Sequence, residues 1–498
     1  MTMGAYVKSI AVLSVGLLAL LVPSSTLLAQ TAPWDVNVPI VSVDKQLYES
    51  HYTDPSNGKN YAPWIFEYRT GPELHREERK AWIGQSDTPI DPTHRFYLYN
   101  DQTETWAWTA WEVLPPAVTY DGDVRIYSGP FACTHDPTSG KAISLWLRQA
   151  VVNPNFGANH CFIRTSDDYG QTWGNPQLLK YEDGPDFDPD DPYNVEFMTH
   201  NYAYPGTNFE LRADGSLLLG LSSVKIPDDV PLDEYDPYGI ADPAAIGIGG
   251  INFVLDWDSQ AGEYTQMASN VAWVPRHVSS RGLIEPTVAE LTDGRLLTVY
   301  RCSNDGIAMY GQNGRKRYSI STDGGETISQ PLELKYDDGS RFYSPSALSQ
   351  LIRHSVSGKL YWVGNINMAP AEGNHYRHPL VIAEVDEVNV ALKKNTVTLI
   401  DTKDADDGDY MQLSNFSLLE NRQTHDFEIH ATRLGEDPND TWKADGYKYT
   451  LTLVPQKPPD TDPTPVAAGG TIPYAWYRTD VENVPTAVVT YYDGTGKV

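Results

Sequence analysis

The chain has 498 residues, 40% of them hydrophobic, and sets 66 Asp and Glu against 37 Lys and Arg, for a formal net charge of −29. That balance argues against nucleic acid or an anionic membrane surface as a partner, and it requires any anionic ligand to be met by a local cluster of arginines. The length would suggest two to four domains, except that repeat and barrel folds routinely exceed that prior.

Residues 1–29 read as a secretory signal. Lys8 is the only charge, an apolar run covers 10–22, and small residues lead to a cleavage after Ala29. The run is too short for a membrane span, no second hydrophobic span follows, and no cysteine follows the cleavage region to carry a lipid anchor. The expected location is secreted or periplasmic. Residues 34–110 are aromatic and turn-rich, with strands expected at 38–43 and 95–99. Export permits a disulfide among Cys133, Cys161 and Cys302, with Cys133–Cys161 the candidate pair and Cys302 then a buried free thiol.

From about residue 115 a repeat is visible. Four units place two strands around a glycine turn, at Gly140, Gly215, Gly294 and Gly358, and a fifth has the same shape around 422–425. Helical periodicity is nearly absent. Five such units plus an N-terminal one predict an all-β chain, a six-bladed β-propeller over 34–454. Separate sandwich domains would need a wider spacing. Residues 455–470 are Pro-rich and polar, a linker in composition, and 471–498 form a tail or a partial module. The acidic stretches 182–191, 228–236 and 401–409 read as solvated loops, with calcium as the alternative through Asp186, Asp188 and Asp190. No other cofactor is expected.

The central unit is LIEPTVAELTDGRLLTVYR, residues 283–301. Its two arms flank the Gly294 turn, so Glu285 and Arg301 are expected side by side at the outer end of the hairpin. A plain ion pair is the competing reading. Tyr and Trp are numerous, 31 and 13. Aromatic rings on loops can stack on sugars, although core packing accounts for most of them.

SDDYGQTW, residues 166–173, fits S-x-D-x-G-x-T-W at every fixed position, and STDGGETI, residues 321–328, is a second copy with Ile for Trp. The pattern is a turn device, in which Asp accepts backbone N–H groups and Gly permits the reversal. These Asp-box segments, with EPTVAELTDGRLLTVYR between them, resemble the sialidase superfamily over about residues 120–435. The resemblance implies a six-bladed propeller and an exo-glycosidase. In such an enzyme a Glu at the head of the hairpin raises the nucleophilicity of a Tyr, and three arginines bind the substrate carboxylate. Glu285 and Arg301 match in order, and Arg377 matches the third arginine. At the place of the first stands Ser128-Gly129-Pro130, with Arg125 close but out of register. His160 stands six before Ser166, where the family has its acid/base Asp. Leu413-Ser414 stands where the family has Tyr-Ser, with Tyr410 three residues early.

The candidate catalytic residues are therefore His160, Glu285 and Tyr410. The candidate substrate-binding residues are Arg301 and Arg377, which offer forks to a carboxylate or sulfate, with His200 and Tyr343 near the same opening. Arg315, Lys316 and Arg317 are expected to form a solvated face. The expected function is a glycoside hydrolase that releases an acidic sugar from glycan ends. The residues that depart from the family keep two alternatives open, a lyase acting on uronate-containing polysaccharide and a non-catalytic glycan-binding propeller.

Overall fold

The computed structural model describes residues 40–84, 89–153, 156–225, 247–274, 278–302, 313–371 and 373–453. The expected signal segment, the Pro-rich linker, the C-terminal tail and the acidic stretch 228–236 lie outside them.

Six antiparallel sheets follow one another along the chain. The first blade is built on β3 (Asn60–Arg69), β4 (Arg76–Ile83) and β5 (Ile90–Asn100), and the second on β9 (Val124–Asp136), β10 (Lys141–Asn153) and β11 (Phe156–Ser166). The third holds β13 (Ala203–Leu211), β14 (Leu217–Lys225) and β15 (Gly247–Asp258), and the fourth β17 (Ile284–Glu290), β18 (Leu296–Arg301) and β19 (Arg317–Ser321). The fifth holds β21 (Gln350–Arg353), β22 (Leu360–Asn365) and β23 (Leu380–Asp386). The sixth takes β26 (Ser417–Glu420), β27 (Phe427–Thr432) and β28 (Gly446–Leu453), and its outer edge is β1 (Ile40–Glu49), paired antiparallel with β28. The first strand thus closes the last blade and fastens the ring, satisfying an edge that would otherwise be open. The chain is a six-bladed β-propeller.

The sequence sets this pattern through its turns. Gly140, Gly215, Gly294 and Gly358 take φ of 74°, 90°, 85° and 70°. Each sits in the hairpin between the innermost strand of a blade and its neighbour, where a left-handed residue reverses the chain without steric cost. His425 (φ 61°) takes that role in the sixth blade and Glu73 (φ 54°) in the first. Second strands are covered on both faces by adjoining blades and so read as continuous apolar runs: LYWVGN is buried throughout, and LLTVYR at all but its last residue. The core accordingly lies between blades. Ala289 and Leu297 of the fourth pack with Leu351, Leu360 and Trp362 of the fifth, and Phe209 and Leu219 of the third with Ile143 and Ile163 of the second.

The two S-x-D-x-G-x-T turns close the same ring of hydrogen bonds. Ser166 Oγ donates to Asp168 Oδ1 (2.7 Å) and accepts from Gly170 N (2.8 Å), while Thr172 N and Oγ1 donate to the Asp168 carboxylate (2.8 and 2.7 Å). Ser321, Asp323, Gly325 and Thr327 repeat the arrangement. Ser166 is 3% exposed, so Ser166→Ala is expected to cost about 1–2 kcal/mol by stranding the Gly170 N–H. Urea unfolding at pH 7 measures it, and a loss within error of zero would contradict the role.

Three expectations change. Cys133, Cys161 and Cys302 are all free. Cys133 lies on β9 and Cys161 on β11, with β10 between them, and two strand spacings of about 4.8 Å exceed the reach of a disulfide. Residues 315–317 are not a solvated face: Arg315 and Arg317 are half-buried and Lys316 is 0% exposed. The acidic loop at 401–409 is not simply solvated, because it folds around buried Arg433, which pairs with Asp401, Asp404 and Asp407. In the loop at 182–191 Asp186 pairs with Lys180 at 3.2 Å. Among the described residues no three His, Cys, Asp or Glu side chains converge as a metal-ligand set, and no helix is long and apolar enough to cross a membrane.

Candidate functional site

The six innermost strands surround a central channel of about 1100 Å³. Each runs from an entry end to the hairpin end just described. At the entry end β17 begins and β18 finishes, which brings Ile284 opposite Arg301 in the ladder. The register slips between Ile284 and Thr287, and Glu285 takes φ 44° there. That conformation disfavours a side chain with a Cβ and is the kind of local strain that functional sites retain. Its backbone N–H donates to Ser222 Oγ (2.9 Å). Its carboxylate receives Arg301 Nη1 on both oxygens, at 2.7 Å each.

Arg377 reaches the same spot from the loop after β22. Arg301 Nη2 and Arg377 Nη2 both donate to Asn374 Oδ1, at 3.4 and 2.8 Å. Arg301 Nε donates to Ser346 Oγ and Arg377 Nε to Ser346 O, each at 3.1 Å. Two guanidinium groups are thus held side by side through shared partners, and Gln412 (3.0 Å) and Ser414 (3.3 Å) orient Arg377 further. Arg125, at the start of β9, and Arg281 line the same channel. Four arginines and one glutamate therefore concentrate positive charge at one end of an acidic protein, which is what recognition of an anion requires.

Behind the pair, Lys316 donates to Ala347 O, one residue past the Ser346 anchor. Burial pushes its ammonium down to about 7. The folded value lies below the unfolded one, near 10.4, so stability rises with pH between those limits and is flat below them. Lys316→Met is expected to abolish that rise. Unfolding free energies at pH 7, 8.5 and 10 check it, and an unchanged slope would contradict a buried titrating lysine.

The remaining candidates fall in different places. Tyr410 is 62% exposed and outside the channel lining, its ring 5.1 Å from that of His375, which lines the channel beside Asn374. His160 is 0% exposed and outside the channel lining. Its Nε2 lies 3.0 Å from Phe197 O and 3.1 Å from His200 O, its ring stacks on Phe197 at 4.1 Å, and burial pushes it down to about 4. His200 caps the short helix α1 (Val195–Thr199), with Nδ1 2.7 Å from Glu196 O. Tyr343 lies under the Arg315 guanidinium at 4.2 Å. The structure thus brings together Glu285, Arg301 and Arg377, and leaves Tyr410, His160, His200 and Tyr343 outside the lining, Tyr410 meeting it only through the His375 ring. His375 is not among the residues the sequence patterns mark, although its place two residues before Arg377 is a usable signal. Arg281, four residues before Glu285, offered a similar one. Arg125 stands out of register in the sequence and yet lines the channel.

No protein-family model and no curated protein matches the chain. Among solved structures, a protein of unknown function from Dyadobacter fermentans is similar at 13% identity and a TM-score of 0.49, covering 82% of this chain and 99% of its own. A Hadza microbial sialidase is similar at 13% identity and a TM-score of 0.49, covering 82% and 68%. The NanB sialidase from Streptococcus pneumoniae is similar at 13% identity and a TM-score of 0.48, covering 82% and 70%. Likeness of that degree says nothing about what this chain does; the six-bladed propeller stands on the chain's own strand order.

Proposed function

We propose that this protein is exported and acts on acidic glycans, seating the anionic group of a terminal sugar against Arg301 and Arg377 at the entry end of the channel. The observation that carries the reading is the pair of guanidinium groups fixed through Ser346 and Asn374. Planar forks held in place beforehand bind a carboxylate or sulfate with little ordering cost. The local positive charge also draws an anion towards a chain that repels it elsewhere. The leader-like residues 1–29 support export.

Hydrolysis is assigned to the groups that reach this opening. Tyr410 is the nucleophile, attacking the anomeric carbon of the bound sugar. His375, in ring contact with it, takes the phenolic proton and passes it to the leaving oxygen as the glycosidic C–O bond breaks, and a water then displaces Tyr410 from the anomeric carbon, restores its proton and frees the sugar. Glu285 sets the orientation of Arg301. A second reading, binding without cleavage, is favoured by one observation: both oxygens of Glu285 are already engaged by Arg301.

The mature chain incubated with sialylated, uronate-rich and sulfated glycans separates the readings. Released acidic sugar without ultraviolet absorbance, lost in Tyr410→Phe and His375→Ala, supports hydrolysis. Rising absorbance marks a new double bond and a lyase, and overturns hydrolysis. Retention of the glycan without release leaves the binding reading, and neither retention nor release overturns the proposal.

A further inference from the structure

We propose that the opposite, hairpin end of the channel is a separate oxyanion site, formed by Arg69, Arg422 and His135, for a sulfate- or phosphate-type group. It is independent of the acidic-sugar reading at the entry end. Three consecutive blades supply it. Arg422 lies in the turn after β26, Arg69 is the last residue of β3, and His135 lies at the end of β9; all three line the channel. Cys133 Sγ, 3.9 Å from Arg69 O, ties the first and second blades together at this level.

The two arginines are short of acceptors. Among the described residues Arg69 makes one side-chain hydrogen bond, Nε to Gly71 O at 3.2 Å, and no ion pair, while Arg422 makes neither. Burial, and after it the Arg422 charge, push Arg69 down to about 10, so the two cations face each other unfavourably. His135 is 7% exposed and its Nδ1 has no hydrogen-bond partner among the described residues. Burial and Arg69 hold it below the usual histidine value, against a backbone hydrogen bond to Gly140, and the uncharged ring donates through Nδ1 only when its proton sits on that nitrogen.

The carboxylates that line the channel towards this end have partners: Glu67 pairs with Arg76 at 3.0 Å, Glu210 accepts from Glu290 N at 3.4 Å, and Glu420, whose charge on Arg69 opposes that of Arg422, is held by the neighbouring turn. Glu420 accepts from Ser355 N at 2.9 Å and from Ser355 Oγ, and lies 2.8 Å from His425 Nδ1. Asp136 accepts from Tyr264 OH (2.6 Å), Thr138 N (2.9 Å) and Ser139 N (3.1 Å). An oxyanion bridging Arg69 and Arg422 would turn their repulsion into two charge-assisted forks, with the buried His135 Nδ1 a third contact in the tautomer that carries its proton there.

The test titrates inorganic sulfate into the full chain at constant ionic strength and reads the heat of binding, with a sulfated disaccharide as a second probe. Arg422→Gln, on an exposed turn, leaves the fold intact and is expected to weaken sulfate by about tenfold, with Arg69→Gln adding to the loss. The same sulfate component is expected to persist in Arg377→Gln, which alters only the entry end. Tighter binding of the disaccharide than of sulfate identifies a glycan-borne group, and equal binding identifies the free ion. No sulfate binding by the wild-type chain, or an affinity unchanged in Arg422→Gln, would overturn the proposal.

Discussion

Arg301→Ala is expected to weaken binding of an acidic sugar by about a hundredfold or more, because it removes one of two charged forks, and to cost about 3 kcal/mol of stability. The second effect is separable from the first. The Arg301 and Glu285 side chains are 11% and 17% exposed, so removing the cation leaves a carboxylate largely out of water with no partner at either oxygen. Adding Glu285→Gln removes that stranded charge. The double variant is therefore expected to recover most of the stability and none of the affinity. Denaturant unfolding and sugar titration on the two single variants and the double close this cycle. Restored binding in the double variant would show that Arg301 does no more than neutralise Glu285.

The largest purely structural effect is expected at Arg433, which is 2% exposed and surrounded by Asp401, Asp404, Asp407 and Glu436. Arg433→Met is expected to cost about 3–5 kcal/mol at pH 7, since it leaves the carboxylates facing one another without their cation. The loss depends on pH. Burial alone would raise the Asp401 carboxyl, but hydrogen bonds from Tyr449 and Arg433 outweigh it and hold it below the usual carboxylate range. A folded value below the unfolded one contributes stability that is present above about pH 4 and lost as pH falls through the folded value. In the variant, protonation instead relieves repulsion. The gap between wild type and variant is therefore expected to narrow as pH falls from 7 towards 4. Urea unfolding at three pH values in that range decides it, and a gap that widens on acidification would contradict the ion network.

Much of this architecture was legible because turns announce themselves. The glycines at 140, 215, 294 and 358 stand where a left-handed residue joins the two inner strands of a blade, and the central hairpin placed Glu285 beside Arg301 as antiparallel geometry requires. The first blade was legible only as an N-terminal unit with a strand at 95–99, which falls within β5. Its turn uses Glu73 rather than a glycine at the left-handed position, and its strands bury Glu67, Glu77 and Glu78 against Arg76, Arg79 and Arg95. Buried, paired charges erase the alternation of apolar and polar residues by which a strand is recognised.

The site was legible in its cations and less so in its proton carriers. Arg301 and Arg377 were marked by their neighbours in sequence and come together through Ser346 and Asn374. His160 was marked by its distance from a turn motif, which fixes a place along β11 and not the direction its ring faces. The ring points into packing against Phe197. Acidic loops look alike in sequence whether they wait for a metal, face water or wrap an arginine, and only the position of Arg433, far along the chain, separates those cases at 401–409.

On the proposed reading, Arg301 and Arg377 hold the anionic group of an acidic sugar. The most direct measurement is a calorimetric titration of the mature chain with an acidic sugar and with the same sugar carrying a neutral amide in place of its acid, repeated in Arg377→Ala. Saturable binding of the acid, absent for the amide and weakened by about a hundredfold in the variant, is the result predicted. Equal binding of acid and amide, or an affinity that Arg377→Ala leaves unchanged, would contradict it.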